Sequence, residues 1–189
     1  MKRTLAALAL ASLTGGAQAG TVTAAYTDFD PGRTCKVLDK AADGEGTWVD
    51  MECAGYGDYK VFLFEDDLRQ SIAYGPNVPE PAWESFGAFN HADPKIEWRL
   101  DDGVPFAAIH RWRVSDADGK PDTEVLVVEK VGQPDAPGGC AVALVRASGN
   151  PRANDQAREA ADATARTFGC GAEQAARIGD VPDFGREKR

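Results

Sequence analysis

Apolar and polar residues alternate with a period of two through most of the chain, and this pattern predicts β-strands. At positions 68–74 the alternation places Leu68, Gln70, Ile72 and Tyr74 on one side. Residues 59–64 and 123–131 are apolar at successive positions, which indicates strands buried on both faces. Further strands are predicted at 34–38, 47–53, 95–100, 104–114 and 140–146. The 104–114 strand is predicted to carry on one face Phe106, Ala108, His110, Trp112 and Val114.

A three-to-four-residue period appears only near the end of the chain. Asn150-Pro151 forms a plausible helix start, and Gly169 a stop. Between them an apolar stripe consists of Ala153, Ala157, Ala160, Ala161, Thr164 and Phe168. Short polar connectors between the strands favour antiparallel hairpins. We therefore predict an α+β fold, a mostly antiparallel sheet of about six to eight strands with one main C-terminal helix packed on one face.

The first nineteen residues have the composition of a secretory signal peptide. Lys2 and Arg3 precede an apolar stretch at 5–13 that is too short to span a bilayer, and Ala17-Gln18-Ala19 offers a cleavage site before Gly20. We therefore expect a periplasmic protein without membrane insertion. Its single domain should cover residues 20–178, followed by a flexible polar tail at 179–189.

The chain is acidic, with a formal charge of −9. Loss of Lys2 and Arg3 with the signal peptide makes that charge −11 for residues 20–189. A surface of this sign repels phosphate backbones, so we expect no nucleic-acid partner. It suits a cationic periplasmic or extracellular protein, or it simply keeps the protein soluble. The oligomeric state does not follow from these patterns.

All four cysteines follow the predicted cleavage site, and an even number in an exported chain indicates disulfides. Three pairings are possible, and we favour Cys35–Cys53 and Cys140–Cys170 because each joins residues of one local region. Zinc binding is the alternative, but zinc sites have clustered cysteines, and no two cysteines here are close in sequence. We therefore expect no metal and no cofactor.

Residues 75–94 interrupt the strand pattern. Prolines cannot donate backbone hydrogen bonds to a sheet, and this segment contains Pro76, Pro79, Pro81 and Pro94. We therefore predict a long irregular loop, a kind of segment that often carries function. The predicted binding residues of this loop are Trp83, Phe86, Phe89 and His91. In the alternative interpretation the loop folds its aromatic side chains onto the sheet edge.

Candidate catalytic chemistry is sparse, and we predict no catalytic residue. No serine lies in a Gly-x-Ser-x-Gly sequence. Residues 116–119 are similar to the start of a calcium loop, but Lys120 follows where a ligand oxygen is expected. We interpret this segment as a hairpin turn. The rival site for hydrolysis would combine His91, Asp93 and His110.

Two groups of residues carry a resemblance. The first consists of Cys53-Ala54-Gly55-Tyr56-Gly57-Asp58-Tyr59-Lys60-Val61 followed by Asp67-Leu68-Arg69. The second consists of Cys140-Ala141-Val142-Ala143, Ala153-Asn154, Ala157-Arg158-Glu159-Ala160-Ala161-Asp162 and Phe168-Gly169-Cys170-Gly171. Together they resemble uncharacterised exported proteins of alphaproteobacteria. The resemblance implies export and a strand-to-helix cysteine arrangement, and nothing about mechanism.

These observations favour a non-enzymatic binding or interaction module that uses the 75–94 segment. One concrete form is an inhibitor of a cationic wall-degrading enzyme such as lysozyme, an analogy that rests on protein class and charge. The alternative is an envelope hydrolase that acts on glycan or peptide around His91, Asp93 and His110. A structural envelope protein without a small ligand is a third hypothesis.

Overall fold

The computed structural model describes residues 20–78 and 82–188. The predicted signal peptide at 1–19 lies outside the described residues. In chain order the elements are β1 (Val22–Asp28), α1 (Pro31–Thr34), β2 (Cys35–Lys40), β3 (Val49–Cys53), β4 (Lys60–Asp66), β5 (Arg69–Gly75), β6 (Ala82–Phe86), β7 (Asn90–Asp101), β8 (Val104–Val114), β9 (Thr123–Lys130), β10 (Cys140–Arg146), α2 (Ala153–Thr164), β11 (Ala176–Ile178) and β12 (Phe184–Lys188). Among these residues, no helix is both long and apolar enough to cross a membrane.

The strands form three sheets rather than one. A six-stranded sheet has the order β1-β7-β8-β9-β10-β11, a four-stranded sheet the order β2-β3-β4-β5, and β6 pairs with β12. All pairings are antiparallel except that of β10 with β11. The predicted α+β class, with mostly antiparallel strands and one main C-terminal helix, is confirmed. The single sheet of six to eight strands is corrected to a split arrangement.

The two larger sheets pack face to face, and the main core lies between them. The four-stranded sheet contributes Val61, Leu63, Ile72 and Tyr74. The six-stranded sheet contributes, among others, Ile96, Trp98, Trp112, Val125 and Val127. On the outer face of the four-stranded sheet, Phe62 and Phe64 pack with Trp83 of β6. Because both faces of β4 are covered, its successive apolar residues are all buried, as their pattern predicted.

Phe106 does not share a face with Trp112, and this prediction was wrong. Leu100 pairs with Pro105 and Arg99 pairs with Ala107, so Phe106 is an extra residue in β8. An extra residue of this kind is a β-bulge, which redirects the side chains on one side of it. Phe106 therefore packs in the second core, on the opposite face of the sheet.

The second core lies between the six-stranded sheet and helix α2. The helix buries Ala153, Ala157 and Ala161 against a surface that includes Leu126 and Val128. Because alanine has a small side chain, the helix backbone lies close to the strands. The helix thus packs on one face of the six-stranded sheet, opposite the face that carries the main core.

Three arginine–carboxylate pairs also join the helical region to the sheet. Arg158 makes two hydrogen bonds to Glu97, at 2.7 and 2.9 Å, and Arg99 makes two to Asp162, at 2.9 and 2.6 Å. Arg166 Nε donates to Asp101 Oδ2 at 2.8 Å. Bidentate arginine–carboxylate contacts fix relative orientation as well as distance. They set the register of the helix on the sheet, which a surface of alanine side chains specifies poorly.

Both preferred disulfides are present. Cys35 is bonded to Cys53, joining β2 to β3, and Cys140 is bonded to Cys170, joining β10 to the segment that follows α2. The disulfide prediction is therefore confirmed in number and in pairing. The second bond ties the end of the helical segment to the sheet on which the helix packs.

The structure corrects the predicted loop at 75–94 and the predicted tail at 179–189. Strand β6 and the start of β7 lie inside the first segment, and β12 lies inside the second and pairs with β6. Pro94 is accommodated because it falls in a register shift of β7, between Ala92 and Ile96. Residues 184–188 of this tail belong to the fold, and Phe184 packs on Phe86 with ring centroids 4.9 Å apart.

The helix–sheet contact gives a testable consequence. Ala157→Leu should lower the free energy of unfolding by about 1–3 kcal/mol, because a larger side chain overfills a closed contact. Ala157 is completely buried, whereas Ala163 in the same helix is exposed. Ala163→Leu is therefore the matched control and should be nearly neutral. Urea unfolding of both variants measures the difference, and equal stabilities would contradict the described packing.

Candidate functional site

The turn between β4 and β5 presents a leucine to solvent in a strained conformation. Asp66 pairs with Arg69, so Asp67 and Leu68 form a two-residue turn, with φ of 48° and 59°. Glycine or asparagine is preferred at such positions, and a left-handed residue with a Cβ costs about 1–2 kcal/mol. Leu68 is nevertheless 65% exposed. The local backbone therefore tolerates an unfavourable residue whose side chain is mostly in contact with water.

Phe89 lies beside this turn. Asn90 N–H donates to the carbonyl oxygen of Leu68 at 3.1 Å, and Ser115 N–H donates to that of Phe89 at 2.9 Å. Three turns therefore meet here: β4–β5, β6–β7 and β8–β9. Phe89 is 51% exposed, so two large apolar side chains lie at adjoining, solvent-facing positions.

The Asn90 side chain holds the β6–β7 turn in place. Its Nδ2 donates to Ala88 O at 2.8 Å and to Ser85 Oγ at 3.1 Å. Its Oδ1 accepts a hydrogen bond from Gln70 N–H at 3.0 Å. Asn90 is buried, so these bonds are shielded from water. The turn that carries Phe89 is therefore fixed relative to β5.

Acidic residues are frequent in these turns. Asp66 and Asp67 directly precede Leu68, and the connector that follows Ser115 carries Asp116, Asp118 and Asp122. Two cations lie nearby: the Arg69 guanidinium stacks 5.9 Å from the Trp83 ring centroid, and Lys120 Nζ pairs with Asp118 at 3.0 Å. The acidic side chains outnumber the basic ones. We call this region the tip surface, consisting of Leu68 and Phe89 with a rim of Asp66, Asp67, Asp116, Asp118 and Asp122.

The predicted binding residues separate into two groups. Phe89 and His91 are exposed, whereas Trp83 and Phe86 are buried at 9% and 0% exposure. The structure corrects the latter two, because Trp83 packs with Phe62 and Phe64 and Phe86 packs in the main core. Leu68 was missed, since its alternation with Gln70 placed it at the start of a strand. The turn could have been found from the sequence, because Asp67-Leu68 separates two strands of matching length, as the two central residues of a hairpin turn do.

In the rival site of His91, Asp93 and His110, the buried His110 is not placed to act as a general base on a substrate. His110 is fully buried, its Nε2 contacts Asp93 O at 2.5 Å and its Nδ1 contacts Tyr74 Oη at 2.8 Å. Because the Asp93 carbonyl can only accept, Nε2 carries the proton and Tyr74 donates to Nδ1. The Asp93 carboxylate is bound by Arg113 at 2.8 and 3.2 Å. His110 therefore has no ring nitrogen available for a substrate, and His91 lies at the surface.

The 116–119 segment is a turn, as its sequence predicted. Asp118 N–H donates to Asp116 Oδ1 at 2.8 Å, and Gly119 N–H donates to Asp116 O at 3.1 Å. Gly119 has a φ of 75°, which glycine adopts without strain. The aspartate side chain thus serves the backbone of its own turn.

Two buried acids were not singled out from the sequence. Burial, and then repulsion from Glu84, raises the pKa of Glu129 well above its usual value. Burial also raises the pKa of Glu84, against the opposing effects of the Ala141 N–H, at 2.7 Å from Glu84 Oε2, and of Arg186. Glu129 alternates with Val127 and Val131, which are both buried in the main core, and this spacing could have predicted that Glu129 is buried. Glu84 also lines a cleft of about 380 Å³ beside the Cys140–Cys170 bridge.

The buried histidine predicts a loss of stability in acid. Burial, only partly opposed by Asp93, lowers the pKa of His110 from 6.5 to about 4. Above pH 6.5 the neutral His110 ring makes its full contribution to the free energy of unfolding. This contribution is lost as the pH falls toward 4, because in that range only the unfolded chain binds the proton. The loss should reach about 3 kcal/mol. His110→Gln should remove this part of the pH dependence in urea titrations, and parallel curves would contradict the assignment.

Glu129 predicts the opposite trend. The folded-state pKa of Glu129 is raised, so the neutral carboxyl makes its full contribution to the free energy of unfolding below pH 4.5. This contribution is lost as the pH rises, because the carboxyl ionises first in the unfolded chain. Glu129→Gln should therefore raise the free energy of unfolding at pH 7.5. The gain should disappear below about pH 4.5. Exposed Glu159→Gln is the control, and an equal effect of both substitutions would refute the buried placement.

Comparison with known proteins gives no relative for this chain. Neither protein-family models, nor curated proteins, nor solved structures match it. The resemblance to exported alphaproteobacterial proteins therefore stays a prediction. Any functional conclusion rests on the geometry of the chain itself.

Proposed function

We propose that this protein is a non-enzymatic binding module that engages a cationic protein partner through the tip surface. Leu68 and Phe89 would provide the apolar contact, and the acidic rim would select a basic partner. This refines the binding function predicted for the 75–94 segment, because the contact now combines Phe89 with a residue of the β4–β5 turn. Export to the periplasm stays part of the proposal, and the two disulfides are compatible with it.

The observation that carries the proposal is the exposure of Leu68 in a left-handed conformation. Backbone strain of this kind persists where the surroundings hold it, and it concentrates at functional sites. A glycine at position 68 would relieve the strain at little cost in buried surface, since Leu68 is 65% exposed. The leucine therefore lowers stability and leaves an apolar group at the surface. A binding role for the side chain accounts for both costs.

The acidic rim supports a partner of opposite charge. Charged groups around an apolar contact accelerate association with a complementary surface, and they discourage partners of like charge. The formal charge of residues 20–189 is −11, so the protein as a whole attracts basic molecules. One concrete partner class is the cationic wall-degrading enzymes, for which lysozyme is an available probe. The protein would then act as an inhibitor.

The hydrolase alternative has less support. It would require His110 to exchange protons with a substrate, and the ring is buried between Tyr74 and the Asp93 carbonyl. Proton transfer needs a group within hydrogen-bond reach of the substrate. The tip surface, in contrast, is directly accessible.

Leu68→Gly tests the proposal because it should change stability and binding in opposite directions. We expect the free energy of unfolding to rise by about 1 kcal/mol as the left-handed strain is released. Affinity for lysozyme, measured by calorimetry at low salt, should fall about tenfold or more, as for a central apolar anchor. Phe89→Ser should weaken binding similarly, and higher salt should weaken binding of the unchanged protein.

Val104→Ser is the matched control. Val104 is 49% exposed but is the first residue of β8, where it pairs with Asp101, at the other end of β8 from the tip surface. This substitution should leave affinity unchanged. The proposal fails if lysozyme and other basic proteins do not bind at low salt. It also fails if Leu68→Gly and Phe89→Ser bind as well as the unchanged chain.

A further inference from the structure

The start of the described chain lies against two carboxylates. Val22 pairs with Asp101, which places Gly20 at the β7–β8 turn. Thr21 N–H donates to Asp102 Oδ1 at 3.3 Å. A Cβ added to Gly20 would overlap the Asp101 carboxylate and would lie 3.3 Å from Asp102 Oδ2. The backbone of Gly20 therefore lies within van der Waals contact of the Asp101 carboxylate.

The charges around Gly20 are not balanced. Arg166 Nε donates to Asp101 Oδ2 at 2.8 Å and its Nη1 to Asp162 O at 3.1 Å. Arg99, two residues before Asp101 in β7, pairs with Asp162 and Glu97 instead. One guanidinium thus pairs with the Asp101–Asp102 cluster, which carries two negative charges. The turn can accommodate one further positive charge at the position of Gly20.

We propose that cleavage between Ala19 and Gly20 creates this positive charge, and that the new α-ammonium group of Gly20 binds the carboxylates of Asp101 and Asp102. The inference rests on the predicted signal peptide and is independent of the proposed binding function. An envelope peptidase would add water across the Ala19–Gly20 amide, which leaves a carboxylate on Ala19 and an amine on Gly20. The amine takes up a proton at neutral pH, since an α-amino pKa is about 7.7–8.0.

The proposed contact would link removal of the signal peptide to the stability of the folded protein. Strand β1 is an edge strand that pairs only with β7 within the described sheets. Gly20 and Thr21, which precede β1, are exposed and therefore prone to fraying. An ion pair at Gly20 would anchor the free end of β1 to the β7–β8 turn. Before cleavage, the same nitrogen is an uncharged amide and cannot supply this interaction.

Two forms of the protein test the proposal: residues 20–189 with a free Gly20 amine, and the same chain extended by Ala19. The extension moves the charge away from the carboxylates by one residue. At pH 6.5 the extended form should unfold about 2–4 °C lower, the shift expected for one surface ion pair in a chain of this size. The two disulfides should be intact in both samples.

Two further measurements identify the cause of any shift. Two carboxylates should raise the folded-state pKa of the Gly20 amine, so the stabilisation is complete below about pH 7.7 and is lost as pH rises through that pKa. Asp102→Asn should likewise shrink the difference, whereas the exposed Asp155→Asn should preserve it. Equal unfolding temperatures of the two forms would overturn the proposal. So would a difference that persists at pH 10 and in Asp102→Asn, because it would then reflect crowding rather than charge.

Discussion

Burial of both faces of the six-stranded sheet is the constraint on which the rest of the structure depends. One face carries Trp98 and Trp112, and the other carries Leu126 and Val128. A sheet that is apolar on both sides needs two covering layers, since apolar surface left in water is costly. The four-stranded sheet covers one side and helix α2 the other. Arginine–carboxylate pairs and the Cys140–Cys170 bridge then hold the helix in register.

Two titratable groups buried inside this arrangement have strongly shifted pKa values. His110 stays neutral between Tyr74 and the Asp93 carbonyl, where burial opposes protonation. Glu129 is held toward its neutral form by burial and by Glu84. Their opposite responses to pH arise from one cause, because burial disfavours the charged form of both groups. Stability is therefore expected to depend on pH through the core as well as through surface charge.

The two apolar side chains of the tip surface contribute little to the stability of the fold, because both remain largely in contact with water. Leu68 occupies a backbone conformation suited to glycine, and Phe89 is half exposed on a turn that Asn90 holds rigidly. A rigid turn loses little entropy when a partner binds, which favours preorganised contact. The acidic rim adds charge selectivity. This combination distinguishes the tip surface from scattered exposed apolar residues such as Val104, which are ordinary on soluble proteins.

Local patterns in the sequence were enough to predict the hairpins, the C-terminal helix and both disulfides, because each depends on residues close together in the chain. The run of successive apolar residues at 61–64 also predicted burial on both faces of β4. Period-two alternation failed at Phe106, where one extra residue in β8 reverses the face. It also missed β12, whose partner β6 lies far away in the chain. Neither a bulge nor a distant pairing leaves a periodic signal in one segment.

The sequence by itself thus determined the order and type of most elements, the export signal it predicts, and the acidic charge. Only the tertiary structure decided which exposed residues meet. Leu68, Phe89 and Ser115 belong to three separate turns, and their contact depends on how β5, β7 and β8 align. The burial of Trp83 and Phe86 also depends on the tertiary structure, because Trp83 packs with residues of the four-stranded sheet and Phe86 packs in the main core. Side-chain type sets what a residue can contribute, whereas long-range packing sets whether it faces water.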